Sequence, residues 1–316
     1  MDGRTSQEAV IRGYLRIPGL PDGDLELPYL QFQGRAAGPR LTLLSGVHGC
    51  EYSGMAALRE FLGEIDTAAL IGTITAVPVV NLPAYTSRTP FVVPADGKNL
   101  NRCFPGDPSG TYADVLAHHV FERFIRGADY VIDVHSGDLP EVIEPLVVYD
   151  ESAVGEAARQ IALAYGTEHV IRQPASARVT TGTTSAAAAD AGVPAITAEA
   201  GGNGVVSAQA VATHLRGLRN VVATLGMLPY DVERPSRQIE HDRGWSWIYS
   251  PVGGWWQPLA ELGKRVDEGE VLGRVSNLFG DVIHEVKALE AGTPMIITTS
   301  PAVAAEGLLM ALTQEV

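Results

Sequence analysis

The stretch Leu41–Tyr52, LTLLSGVHGCEY, decides how this chain is read. Leu41–Leu44 is a short apolar run suited to a buried strand. Gly46 ends the run in a turn, and His48 and Glu51 follow three residues apart. A strand, a glycine turn and His-x-x-Glu can bring an imidazole nitrogen and a carboxylate to one side of a helix start. That arrangement suits two of the three protein ligands of a catalytic zinc, whose fourth position stays open for water. His-x-x-Glu alone is a weak motif. A third candidate of the right kind, His135, at the end of another expected strand, strengthens it.

Working outward, residues 9–17 and 25–32 are β-like runs broken by PGLPDGD, which predicts a hairpin or edge pair leading into Leu41–Leu44. Ser53–Ile65 has helical spacing of Met55, Leu58, Phe61 and Leu62. TITAVPVV (73–80) reads as a buried strand stopped by Asn81-Leu82-Pro83, and a Gly/Pro-rich loop runs from Tyr85 to Gly110. Loops this long inside a compact domain are usually functional or disordered. This one carries KNLNRCFPG, too specific for a linker.

Further on, helices are expected over 112–125, 152–165, 184–191 and 208–225, and strands over 130–134, 146–149 and 194–198. This alternation implies an α/β fold, a mostly parallel or mixed sheet flanked by helices. Ligands gather beyond the carboxyl ends of strands in such sheets, and His48, Asn81, His135 and Glu199 all follow directly on expected strands. From about Asp231 the composition shifts to short β runs and glycine turns. The expected organisation is therefore a domain over 1–230 and a small all-β C-terminal domain over 231–316.

The 316 residues carry 23 Lys+Arg against 37 Asp+Glu, a formal charge of −14, with no basic cluster. That argues against nucleic acid or an anionic membrane as partner. Two cysteines make no disulfide framework. No charged start leads into an apolar segment, and no apolar run has the ~18 residues of a spanning helix. A cytoplasmic protein is the expectation.

Five segments now stand in order: GVHGCE (46–51), NLPA (81–84), NLNRCFPG (99–106), DVHSG (133–137) and EAGG (199–202). Together they resemble the succinylglutamate desuccinylase/aspartoacylase family, zinc hydrolases with a carboxypeptidase-like α/β fold. The resemblance covers roughly residues 10–225, and the β-rich tail fits many bacterial members. DGKNLNRCFPGDPSGT looks most like bacterial deacylases of the N-acetyl-diaminobutyrate deacetylase type.

The resemblance implies one zinc per chain, held by His48, Glu51 and His135. It makes Glu199 the general base that passes a proton to the leaving amine; the plainer reading of Glu199 is a carboxylate at a helix N-terminus. Asn101 and Arg102 would bind a substrate carboxylate, Arg102 by a planar two-point contact. Arg88 would polarise the scissile carbonyl, with a surface arginine as the plainer alternative, and Arg178 could touch the acyl side. Aspartoacylase-like members have Asp-Leu-Asn-Arg where this chain has Asn99-Leu100-Asn101-Arg102. If that Asp orients a zinc histidine, Asn99 accepts its N–H without adding charge; Asp96 is a candidate to compensate. Cys50, inside the ligand turn, reads as a small packed residue.

In the tail, Lys287 sits where a lipoyl-type carrier lysine would tempt the eye, but EVKAL lacks the flanking turn, so a strand residue is expected. Trp245, Trp247, Trp255 and Trp256 read as core, as an interface for a homo-oligomer, or as the border of an active-site mouth. The reading is a zinc-dependent amidohydrolase acting on a small-molecule N-acyl amino acid or related acylated amine. Its alternatives are a metallocarboxypeptidase and a non-catalytic binding protein on the same fold.

Overall fold

A computed structural model describes residues 9–21, 23–175 and 181–314. The amino-terminal hairpin is β1 (Val10–Ile17) against β2 (Leu25–Gln33), antiparallel. β3 (Ala36–Ser45) follows, then α1 (Tyr52–Glu64), β4 (Ile71–Val77) and the short α2 (Leu82–Ser87). The loop beyond it contains a 3-10 turn, Leu100–Arg102, and leads to α3 (Tyr112–Val120), whose last stretch widens into a π-turn, Phe121–Ile125. Next come β5 (Tyr130–His135), β6 (Glu141–Asp150), α4 (Gly155–Tyr165) and β7 (His169–Gln173). α5 (Thr184–Asp190), β8 (Ala195–Gly202) and α6 (Ala208–Thr224) complete this part.

The remaining strands are β9 (Ile239–His241), β10 (Trp245–Tyr249), β11 (Gly254–Pro258) and β12 (Val271–Ser276). After them come β13 (Val282–Lys287), β14 (Gly292–Thr298), β15 (Ala302–Val303) and β16 (Leu308–Gln314).

The main sheet has 12 strands in the order β1-β2-β4-β3-β5-β8-β6-β14-β16-β10, with β7 on β6 and β9 on β7. Its centre, β4-β3-β5-β8, is parallel, as the alternation of elements predicts. On both flanks the direction reverses, β2 running against β4 and β6 against β8 and β14, while β7 and β9 run parallel to β6. The tail therefore divides. β14, β16 and β10 extend the main sheet, while β13-β12-β11-β15 form a second, antiparallel sheet.

Residues 41–45 of β3 are all buried because helices cover both faces of the sheet centre. Leu41 and Leu43 pack with Leu58 and Phe61 of α1 and Leu218 and Val221 of α6. Leu44 faces the other way, to Leu116 and Phe121 at the α3 end and Ala188 of α5. Each such leucine contributes roughly 1.5–3 kcal/mol by leaving water. A third core gathers Trp256, Leu272, Val275 and Leu309 in the tail. Trp256 is core and Trp255 exposed, and Lys287 is an exposed residue of β13. No helix among the described residues is long and apolar enough to cross a membrane.

Candidate metal centre and the cavity around it

The turn after β3 is built by two glycines. Gly46 has φ +65°, a left-handed conformation that favours glycine. Gly49 lies so close to α2 that a Cβ would meet Tyr85 N at 2.3 Å and Ala84 C at 2.4 Å. Asn81, buried, fastens the same turn: its Nδ2 donates to Val47 O at 3.3 Å, while its Oδ1 accepts the Ala84 amide at 3.2 Å and caps α2. His48 and Glu51 are thereby presented at the start of α1, beside the end of β5.

Glu51 bridges two imidazoles. Its Oε1 lies 2.6 Å from His48 Nδ1 and its Oε2 2.8 Å from His135 Nδ1, and Oε2 also accepts the Ser136 amide at 3.2 Å. One donor atom from each of His48, Glu51 and His135 lies within 4.8 Å of the others, and all three residues are buried. The far ring nitrogens are engaged as well. His48 Nε2 is 3.1 Å from Asn99 Oδ1, whose identity as oxygen is fixed by the Asn101 amide it accepts at 2.8 Å. His135 Nε2 is 2.8 Å from Asp133 Oδ2, off the line of a hydrogen bond, and that oxygen accepts Thr184 Oγ1 at 2.5 Å. Protons on the outer nitrogens leave the Nδ1 lone pairs facing a carboxylate.

That arrangement calls for a cation. Burial alone would raise the Glu51 pKa, yet the two histidines hold it down to about 2. Burial alone would lower His48 and His135, yet the carboxylates beside them, Glu51 for the first and Asp133 and Glu51 for the second, raise both. A carboxylate facing the lone pairs of two buried imidazoles is the arrangement that a bound cation completes. Two nitrogen donors, one carboxylate and outer partners that fix the tautomers suit zinc by donor chemistry. Neither Cys50 nor Cys103 belongs to the group. Cys50 is buried without a disulfide, and Cys103 Sγ donates to Asn99 O at 3.3 Å.

A cavity of about 520 Å³ opens over this group, lined by His48, Glu51, Asn101, Arg102 and Glu199 among others. Glu199 is a residue of β8, not a helix cap, and one carboxyl oxygen, Oε2, is sealed from water without a partner among the described residues. Burial, foremost, and the nearby Glu51 and Glu141 push it well above the usual carboxylate range, against the opposing pull of His135. Asn101 is buried, its Oδ1 accepting the Thr184 amide at 3.0 Å, which leaves its amide nitrogen for a ligand. Arg102 donates from Nη1 to Asn101 O at 2.7 Å and makes no ion pair among the described residues.

Other expected residues lie elsewhere. Arg88 is exposed at the C-terminal cap of α2, with φ +55°, and lines a separate surface pocket with Tyr52, Arg59 and Tyr85. Arg178 lies outside the described residues. Asp96 does not reach His48; it accepts from Thr111 Oγ1 at 2.7 Å and the Ala113 amide at 2.8 Å, so it serves the start of α3.

The sequence reading did not single out Glu141, Asp150 or Gln173, which also line the cavity. Trp245 and Trp247 complete its wall, 5.6 Å apart, so the border of the site is where they stand among the roles weighed for the tryptophans.

Residues 37–225 match the succinylglutamate desuccinylase/aspartoacylase catalytic domain, and the chain belongs to that family. Among its relatives, N-alpha-acetyl-L-2,4-diaminobutyric acid deacetylase of Halomonas elongata is 29% identical over 286 residues, covering 86% of this chain and 81% of that protein. The product-bound ectoine utilization protein EutE (DoeB) of Ruegeria pomeroyi superposes with a TM-score of 0.88 at 25% identity, over 98% of this chain and 96% of the other. A succinylglutamate desuccinylase/aspartoacylase from Rhodobacter sphaeroides shares the fold, with a TM-score of 0.85 at 23% identity over 98% and 97% of the two chains.

Proposed function

We propose that the protein is a zinc-dependent deacylase that hydrolyses the amide of a small N-acyl amino acid. The observation that carries this reading is the placement of Glu199, with an unpartnered carboxyl oxygen, in the cavity above the His48–Glu51–His135 group. The deacetylase relative supports it. His48, Glu51 and His135 would hold the zinc, which would supply a Lewis acid to acidify water.

The protein's own residues do the rest. Arg102 and the Asn101 amide take the substrate carboxylate and set the scissile amide over the group; a guanidinium without a carboxylate partner favours such an anion. A carboxyl with a raised pKa is a competent base once ionised and a competent acid once protonated. Glu199 therefore takes the proton of the attacking water on a carboxylate oxygen and delivers it to the departing amine. Trp245, Trp247 and Leu308 give the cavity part of its wall, in keeping with a small acylated amino acid as substrate. We propose the cytoplasm as its compartment, consistent with two free cysteines, Cys50 and Cys103.

The test is metal content by elemental analysis, then acyl release from a panel of N-acetyl amino acids and short peptides. One zinc per chain with release from the small amides is the expected outcome. Peptide trimming would transfer the reading to a carboxypeptidase, and a chain that takes up no zinc would end it.

A further inference from the structure

Among the described residues the three most exposed large apolar side chains, Phe279 at 95%, Leu278 at 88% and Leu289 at 80%, lie on or just past one hairpin, β12–β13. Val282 and Ile283 beside them are exposed as well. The tip is tied in place by Asn277. Its Oδ1 accepts the Phe279 amide at 2.9 Å and the Asp281 amide at 3.0 Å, and its Nδ2 donates to Asp281 Oδ2 at 3.0 Å. β13 also ends the second sheet, pairing with β12 on one side and with no strand on the other among the described residues. Ala288 turns both backbone groups toward the β12 side, donating to Glu270 O at 2.9 Å and accepting from Gly269 N at 2.9 Å. By the alternation of an antiparallel ladder, Glu285 and Lys287 point theirs outward. An open row of this kind is a template for another strand.

Charge selects the strand that fits. Half-buried His284 and buried Val286 and Ala288 alternate with exposed Glu285 and Lys287. Two copies of this segment, laid antiparallel about a two-fold axis through Val286, bring Glu285 of each to Lys287 of the other. Axes through Glu285 or Lys287 would instead oppose two carboxylates or two ammonium groups, which is destabilising. The axis through Val286 also carries exposed Ile283 to exposed Leu289 of the second copy. Glu285 meets Arg274 of its own chain at 3.2 Å, whereas Lys287 makes no ion pair among the described residues. A second copy would supply its counter-charge.

We propose that β13 is an interface with a second copy of this chain, the two β13 strands pairing antiparallel about Val286 and joining two four-stranded sheets into one. Such a contact uses the same patch on both copies, closes on itself and removes both open edges. None of these residues lines the cavity over the candidate metal group, so the proposal stands apart from the deacylase reading.

The experiment is sedimentation of the full chain over a concentration series, which should show a dimer. Lys287→Glu leaves the Arg274 pair untouched and sets glutamate against glutamate twice across the axis; Glu285→Lys sets lysine against lysine. Each should raise the dissociation constant by about 10-fold or more. Both reversals together restore opposite charges in this register and should recover the dimer, with circular dichroism checking that each variant folds. Hydrogen exchange reads the same contact without substitution: the outward amides of Glu285 and Lys287 should slow at concentrations where the dimer forms. A monomer at every concentration, or a dimer in which those amides exchange as freely as in the monomer, would overturn the proposal. So would a dimer indifferent to both single reversals, or a folded double variant that fails to recover it.

Discussion

His135 and Glu199 stand directly opposite one another on the neighbouring parallel strands β5 and β8, with Leu146 of β6 across from Glu199. The pair joins the candidate metal group to the proposed proton-transfer residue through backbone register. Register in a sheet covered on both faces is strongly specified, since a slip by one residue would turn Ile132, Val134, Ile196 and Ala198 out of their core. The relative placement of an imidazole and a carboxylate far apart in sequence thus rests on the most buried part of the fold.

Glu199→Gln keeps the shape of the side chain and removes its capacity to carry a proton between water and amine. General acid–base groups contribute typically 10²–10⁴-fold, so kcat should fall by about that factor while zinc content stays at that of the unsubstituted protein. Turnover and elemental analysis on the same samples separate the two. Retained turnover with normal zinc would remove Glu199 from the mechanism.

Asn99 predicts a different effect, on metal affinity. Its Oδ1 accepts from His48 Nε2 at 3.1 Å, a neutral counterpart to the Asp133 carboxylate beside His135. A carboxylate at this position makes the imidazole more basic, and such outer partners shift affinity by about 10- to 100-fold. Asn99→Asp should therefore bind zinc more tightly, by up to about 10-fold, in competition with a chromophoric chelator. Chelation of the unsubstituted protein should lower its melting temperature and added zinc should restore it, about 4 kcal/mol being available at a thousandfold excess over Kd. A melting temperature indifferent to chelator and zinc would show that the group holds no metal.

The proposed ligand group was legible because each member stands at a strand end with its own local signal: an apolar run and a glycine turn before His48 and Glu51, and an apolar run that ends on His135. The parallel centre of the sheet was legible for the same reason. What escaped the sequence is long-range pairing. Trp245 and Trp247 reach the site because β10 pairs with β16, β16 with β14, and β14 antiparallel with β6. No local pattern announces that sequence of pairings, and Glu141 becomes a cavity residue through the same sheet. β7 was missed because HVIRQ is short and its polar ends mask a buried Val170 and Ile171.

Arg102→Lys tests recognition of the substrate carboxylate. Lysine keeps the charge but cannot reproduce a planar two-point contact. The expected result is a KM raised by about 10-fold or more, with kcat changed less, for any N-acyl amino acid that is turned over. An unchanged KM would place the substrate carboxylate elsewhere.

The last prediction concerns pH and the attachment of the chain after residue 230. His169 of β7 and His241 of β9 are both buried and stacked, with ring centroids 5.3 Å apart, an interplanar angle of 26° and His169 Nδ1 3.0 Å from His241 Nε2. Burial, foremost, lowers the His169 pKa; Glu168 pulls it up and Arg237 presses it down. The folded value therefore lies below the unfolded one of about 6.5. Below that pH the unfolded chain binds a proton that the folded one resists, so stability is full above it and declines as pH falls toward the folded value. The melting temperature should drop between about pH 7 and pH 5, and drop less in His169→Gln, which keeps a hydrogen-bonding group without the charge. Parallel profiles for the two proteins would show that acid sensitivity lies elsewhere. A shallower profile in the variant would identify the β7–β9 pairing as the place where acid loosens the fold.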